Sequence, residues 1–172
     1  MALLASSRHE VGSKSYPVLV YLLTPLVALG LQSFLSLHFG FFALIDLPLL
    51  VTIYYGITKR EPISATLAGA MIGVAQDALT HHPLGIFGIS KAVIGYLAAS
   101  LGVRVDTENN GTRLLVIFGS ILSQGAILYL LERHMLGQPF AWLWVHELIK
   151  AVINALVGII LFALLDLSRK HE

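Results

Sequence analysis

The chain has 172 residues, 56 % of them hydrophobic and only 12 % charged, with a mean hydropathy of +0.80. A soluble domain carries about 25 % charged residues, and so much apolar surface needs a bilayer as its solvent. The formal net charge is +1 with the eleven basic residues scattered, which speaks against a nucleic-acid partner, and the absence of cysteine excludes disulfides, thiolate catalysis and cysteine-ligated metals.

The chain opens with "MALLASSRHEVGSKSY". Its apolar run Ala2–Ala5 is too short for the core of a signal peptide, so residues 1–16 are expected to be a cytoplasmic segment ahead of a retained helix. A membrane-spanning helix needs ~20 mostly apolar residues, and six candidates follow. The first is Pro17–Leu37. The second is Phe41–Thr58, with Asp46 and Pro48 near its start; here "HFGFFALIDLP" also reads as a partly re-entrant or extended lead-in. The third, Pro62–Leu79, opens on a proline suited to a first helical position. Leu84–Gly102, Arg113–Leu131 and Leu143–Leu167 complete a six-helix membrane domain over 17–167, with a short tail at 168–172. The expected class is an all-α integral membrane protein with six transmembrane helices.

Lysine and arginine set the expected orientation. One side of this arrangement holds Arg8, Lys14, Lys59, Arg60, Arg104, Arg113, Arg169 and Lys170, and the other holds only Arg133. Lys91 and Lys150 fall within helices. Both termini are therefore expected in the cytoplasm. Trp142, Trp144 and Tyr129 lie near the outer boundary, where aromatic belts form.

In the third span Ala65, Gly69, Gly73 and Asp77 recur every four residues and share one face. Gly69 and Gly73 form a small-xxx-small pair that admits close backbone approach in lipid. The fourth span carries a matching face of Gly88, Ala92, Gly95 and Ala99, with Lys91 beside it. Such faces serve internal packing or the docking of a partner's helix. In "AQDALTHHPLGIFGISK", Asp77 and Lys91 each stand seven residues from Leu84. With the turn centred on His82–Pro83 they lie at similar depth, roughly 10 Å inward. An isolated charge at mid-bilayer costs ~2.5–3.5 kcal/mol, so an Asp77–Lys91 ion pair is expected to close a tight outer hairpin. The alternative is a Lys91 that snorkels outward and an Asp77 that caps a backbone end or faces a small polar cavity.

In the sixth span Glu147, Lys150 and Asn154 share one face, with Gln124 and Ser123 of the fifth span able to meet them. This polar stripe is either interhelical glue, at about 0.6 kcal/mol per hydrogen bond, or the lining of a cavity for a polar ligand or proton. "HELIK" (His146–Lys150) lacks the second histidine of a zincin helix, because that position is Lys150. His38, His81, His82, His134 and His146 fall on the outer side and read as interfacial polar residues, although three or four could meet around a metal. Asp46, Glu132 and Asp166 sit at helix ends, where carboxylates cap or orient. No motif for a nucleophile elbow, Walker loop or dinucleotide site is present.

The segment "PLLVTIYYGITKREPISATLAGAMIGVAQDALTHHPLGIFGISKAVIGYLAASLG" resembles the central signature of the rod shape-determining protein MreD family. The features that carry it are Tyr54–Tyr55, the small-residue helix with Gly69 and Gly73, Asp77, the short polar turn through Pro83, Leu84 and Gly85, and Gly95–Tyr96. It covers Pro48–Gly102, about a third of the chain. Family members vary at the position of Lys91, where many carry an apolar or small residue. The resemblance implies a fold similar to the six-helix substrate-binding components of energy-coupling-factor vitamin transporters. It implies a non-enzymatic, cofactor-free subunit of the bacterial elongasome in the cytoplasmic (inner) membrane. The implied partners are an MreC-like bitopic protein, RodA with its transpeptidase partner, and, directly or indirectly, MreB. The other reading is a small-molecule-binding subunit of a vitamin-type transporter, with its ligand held among Gln76, Asp77, Lys91, Gln124, Lys150 and Asn154.

Overall fold

A computed structural model describes residues 18–81, 83–107, 109–135, 137 and 144–168. His82, Trp142, Arg8, Lys14, Arg169 and Lys170, and the expected segment 1–16, lie outside the described residues, as does the tail beyond 168. The elements in chain order are α1 (Val18–His38), a 3-10 turn (Gly40–Leu44), α2 (Leu47–Lys59), α3 (Pro62–Thr80), α4 (Ile86–Gly102), α5 (Asn110–Met135) and α6 (Trp144–Leu167). There is no strand among the described residues. Five stretches are long and apolar enough to cross a membrane: Tyr21–His38, Gly40–Lys59, Pro62–Thr80, Asn110–Met135 and Trp144–Leu167. The α4 helix is apolar but shorter, at 17 residues.

The expected second helix, Phe41–Thr58, is not continuous. Its first half is the 3-10 turn; the chain is extended at Ile45, and α2 starts only after Asp46. Pro48 in the first turn of α2 and the Asp46 side chain, which accepts from the Leu49 N–H at 3.0 Å, set that start. The remaining helices match their expected spans to within a few residues.

Burial ranks the helices. The stretch Gly40–Lys59 is 61 % buried inside the protein, against 17 % for Tyr21–His38 and 33 % for α3, α5 and α6. Every residue of α2 from Pro48 to Ile57 is buried, as befits a helix that is apolar all round. It forms the axis around which α4, α5 and α6 pack, with Leu49, Leu50, Ile53, Tyr54, Ile94, Ile117, Ala155 and Phe162 in the shared core. By contrast, α1 lies at the periphery and turns Leu22, Leu26, Val27 and Phe34 outward.

The α3–α4 hairpin is the tightest contact. A Cβ added to Gly69, Gly73 or Gly95 would fall under 3.0 Å from the backbone of Lys91, Phe87 or Ala65 respectively. These approaches fix an antiparallel register, Gly73 against Phe87 and Gly69 against Lys91. The Gly69–Gly73 face is therefore filled by α4, so of the two readings internal packing is the one realised. Gly102 and Gly56 repeat the device between α4 and α2, where a Cβ on Gly102 would lie 2.7 Å from the Ile57 carbonyl oxygen.

Candidate functional site

The break before α2 poses a bonding problem. Between Gly40 and Asp46 the backbone leaves α-helical geometry, inside a stretch long and apolar enough to cross a membrane. Free N–H and C=O groups at such depth must find partners in the protein. Two side chains supply them. Gln32 of α1 donates to the carbonyls of Ile45 (2.7 Å) and Phe42 (3.1 Å) and accepts from the Leu47 N–H (3.2 Å). On the opposite side Asn154 of α6 accepts from the Asp46 N–H (2.9 Å) and donates to the carbonyl of Leu44 (2.8 Å), as well as to that of Lys150 in its own helix (2.8 Å). Asn154 is fully buried and Gln32 nearly so.

The break also positions a charge. Lys91 of α4, with no exposed surface, donates to Asp46 Oδ2 at 2.6 Å. The same oxygen accepts from Gln124 Nε2 of α5 at 2.8 Å. One carboxylate thus ties together α2, α4 and α5, while Asn154 brings in α6 through the neighbouring amide. Farther along the stripe Lys150 Nζ lies 3.7 Å from Glu147 Oε2, a loose pair beyond hydrogen-bond distance. Gln124 Oε1, Glu147 Oε2, Ser90 Oγ and Gln76 Oε1 are buried without a hydrogen-bond partner among the described residues.

The expected Asp77–Lys91 pair is not formed. Asp77 is fully buried, but its carboxylate accepts from the backbone N–H groups of Gly85 (2.8 Å), Phe87 (3.1 Å) and Gly88 (3.3 Å). It caps the N-terminus of α4, where free N–H groups and the helix dipole both favour a negative charge. Gly85 makes this geometry accessible: its φ of 103° belongs to the left-handed region, which turns the chain so that the first amides of α4 face back toward α3. The alternative reading of Asp77 as a cap of a backbone end is the one realised. Lys91 does not snorkel; its partner is Asp46, 45 residues away in sequence.

The other sequence-derived positions divide as follows. Gly95 sits in the α3–α4 contact, while Tyr96 is 52 % exposed on the outer face of α4. Pro83 and Leu84 lie exposed in the turn. The polar stripe divides: Gln124 and Asn154 meet at the break, while Lys150 lies one turn and Glu147 two turns from Asn154 along α6. Among the described residues no group of three or more His, Asp or Glu comes close enough to hold a metal. His38 and His134 each sit against a carbonyl one turn earlier in their own helices.

A second polar group lies at the opposite end of the bundle. Asp166 accepts from Tyr54 Oη and from Arg113 Nη1, both at 2.7 Å, and Arg113 Nε donates to the Thr107 carbonyl at 2.6 Å. The sequence reading placed Asp166 only as a helix-end residue and gave no role to Arg113 beyond topology. Gln32 was also missed; its one signal is that it is a lone amide in an apolar run.

The chemistry of the central cluster is mutual neutralisation. Asp46, Lys91, Gln124 Nε2 and Asn154 are aimed at one another or at the backbone break, so four helices are held in one register by electrostatics in a low-dielectric setting. In comparisons with known proteins, no family model matches the chain, and neither a curated protein nor a solved structure matches it.

Proposed function

We propose that the chain is a non-enzymatic membrane scaffold of the bacterial elongasome, an MreD-type subunit with six crossings and both termini in the cytoplasm of the inner membrane. In this role it binds an MreC-like bitopic protein and helps couple MreB filaments to peptidoglycan synthesis by RodA and its transpeptidase partner. The observation that carries the reading is where the polar groups point. Lys91, Gln124 and Asn154 are directed at Asp46 and the broken backbone rather than into a ligand cavity, so the surface left to a partner is apolar helix face.

Two further features support it. The segment that resembles the family's signature, Pro48–Gly102, is the interlocked α2–α3–α4 unit. Two connections are short, with two residues between α2 and α3 and five between α3 and α4, which favours association through helix faces, the α3–α4 turn and the cytoplasmic loops.

The test is purification of the tagged protein from membranes of its own host. Co-elution of an MreC-like protein is expected, together with rounding of rod-shaped cells on depletion. Recovery of an ATPase pair in its place, or normal rods after depletion, refutes the scaffold and favours the transporter subunit.

A further inference from the structure

Where α2 turns into α3, α1 and α3 diverge and leave a cleft of about 680 Å³. It is lined by Tyr21, by Leu67, Ala68 and Met71 of α3, and by Arg60 and Glu61 of the α2–α3 connection. The flanking side chains Leu22 (59 %), Ile63 (79 %) and Met71 (73 %) are exposed and apolar, so the cleft opens sideways toward hydrocarbon. Its rim is polar and asymmetric. Lys59 Nζ sits 3.8 Å from the centroid of the Tyr21 ring. Arg60 is held in the left-handed region (φ 57°), with its N–H bonded to the Gly56 carbonyl at 3.0 Å, and its guanidinium donates one exposed bond, from Nη2 to Thr107 Oγ1 at 3.3 Å, which leaves its other N–H groups for a phosphate. Two cations and one carboxylate give the rim a formal charge of +1.

We propose that this cleft binds an anionic phospholipid whose headgroup carries hydroxyls, a phosphatidylglycerol-type lipid. Its phosphate lies against Lys59 and Arg60, its headgroup hydroxyl donates to Glu61, and the start of an acyl chain lies along Leu67, Ala68 and Met71. Charge complementarity selects this occupant. A lipid of net charge −1 matches the rim, and Glu61 rewards a donor while repelling a second negative charge. The length of the cleft argues against a partner's spanning helix: Pro62 to Met71 rises only about 14 Å, half of a crossing.

The test uses the full-length protein, delipidated in detergent and offered equimolar phosphatidylglycerol and phosphatidylcholine of identical chains, with bound lipid read by native mass spectrometry. About fivefold preference per cation is the scale expected for basic residues at a membrane surface, so wild type should retain phosphatidylglycerol at least about fivefold over phosphatidylcholine. Lys59→Gln/Arg60→Gln should abolish the preference. Glu61→Gln should raise retention of phosphatidic acid toward that of phosphatidylglycerol. Ala68→Phe, which fills the cleft and keeps the charges, should lower retention of every lipid, and millimolar glycerol 3-phosphate should displace none. Equal retention of the two lipids by wild type, or a preference that survives the double substitution in protein of unchanged melting temperature, overturns the proposal. So does displacement by glycerol 3-phosphate, which would make the site one for a free phosphate.

Discussion

Lys91→Met removes the ammonium and leaves a side chain of nearly the same volume, so the loss isolates the charge. In the folded protein Lys91 has no solvent contact and lies 2.6 Å from Asp46 Oδ2. Removing one member of a buried pair costs about 3–5 kcal/mol, because the other charge is left uncompensated. Asp46 keeps its bonds from Gln124 and the Leu49 N–H, which places the expected loss near the lower end, about 3 kcal/mol. Asp46→Asn strands the ammonium instead and should cost at least as much. The double variant Asp46→Asn/Lys91→Met removes both charges and should lose much less than the sum, for a coupling of about 2–3 kcal/mol. The corresponding cycle between Asp77 and Lys91 should show less than about 0.5 kcal/mol, since Asp77 is engaged by α4 amides. Reversible unfolding in mixed detergent micelles, followed by circular dichroism, measures both cycles. A weaker coupling for Asp46–Lys91 than for Asp77–Lys91 would refute the assignment of partners.

Gly73→Ala drives a methyl into the backbone of Phe87 and should destabilise the protein by about 2–4 kcal/mol, whereas Gly119→Ala, with nothing within 4 Å, should be neutral or stabilising in the same titration. Asn154→Leu takes partners from both Asp46 N–H and the Leu44 carbonyl; two buried backbone groups left unsatisfied correspond to about 2–5 kcal/mol, and faster amide exchange at Asp46 should accompany the loss. Tyr54→Phe removes one hydrogen bond to Asp166 and should cost about 1 kcal/mol, with Arg113 still paired. For the scaffold reading, a photo-crosslinker placed at the outward-facing Tyr96 should capture the bitopic partner in cells, and one at the buried Ile94 should not.

Five of the expected spans coincide with stretches long and apolar enough to cross a membrane; they were legible because a bilayer imposes one requirement on a crossing, a long apolar run. The close face of Gly69 and Gly73 was equally plain from spacing. The partner of Lys91 was not. Equal distance from Leu84 made Asp77 the obvious choice, but spacing along a hairpin gives depth and not direction. Direction was decided by Gly85, whose positive φ presents three α4 amides to Asp77 and leaves Lys91 to a more distant carboxylate. The polar stripe of Glu147, Lys150 and Asn154 was readable as a face, with Gln124 able to meet it. Its target was not: "HFGFFALIDLP" also read as an extended lead-in, but which side chains satisfy the break before α2 is a property of the fold around it.

That break has a consequence for how the protein is made. The amide of Asp46 waits for a side chain 108 residues farther along the chain. At about 5–20 residues per second, ribosomes need roughly 5–20 s to deliver it. During that interval Gln32, already synthesised, can satisfy one side of the gap, and Lys91 and Gln124 can reach the Asp46 carboxylate, while the Asp46 N–H and the Leu44 carbonyl remain exposed to lipid, translocon or water. The stretch Gly40–Lys59 is thus provisional until α6 arrives, and its folding is completed by the closing of α6 onto the break before α2. A nascent chain arrested before Asn154 should leave residues 40–46 open to protease or thiol labelling from the aqueous side, and completion of the sixth helix should seal them.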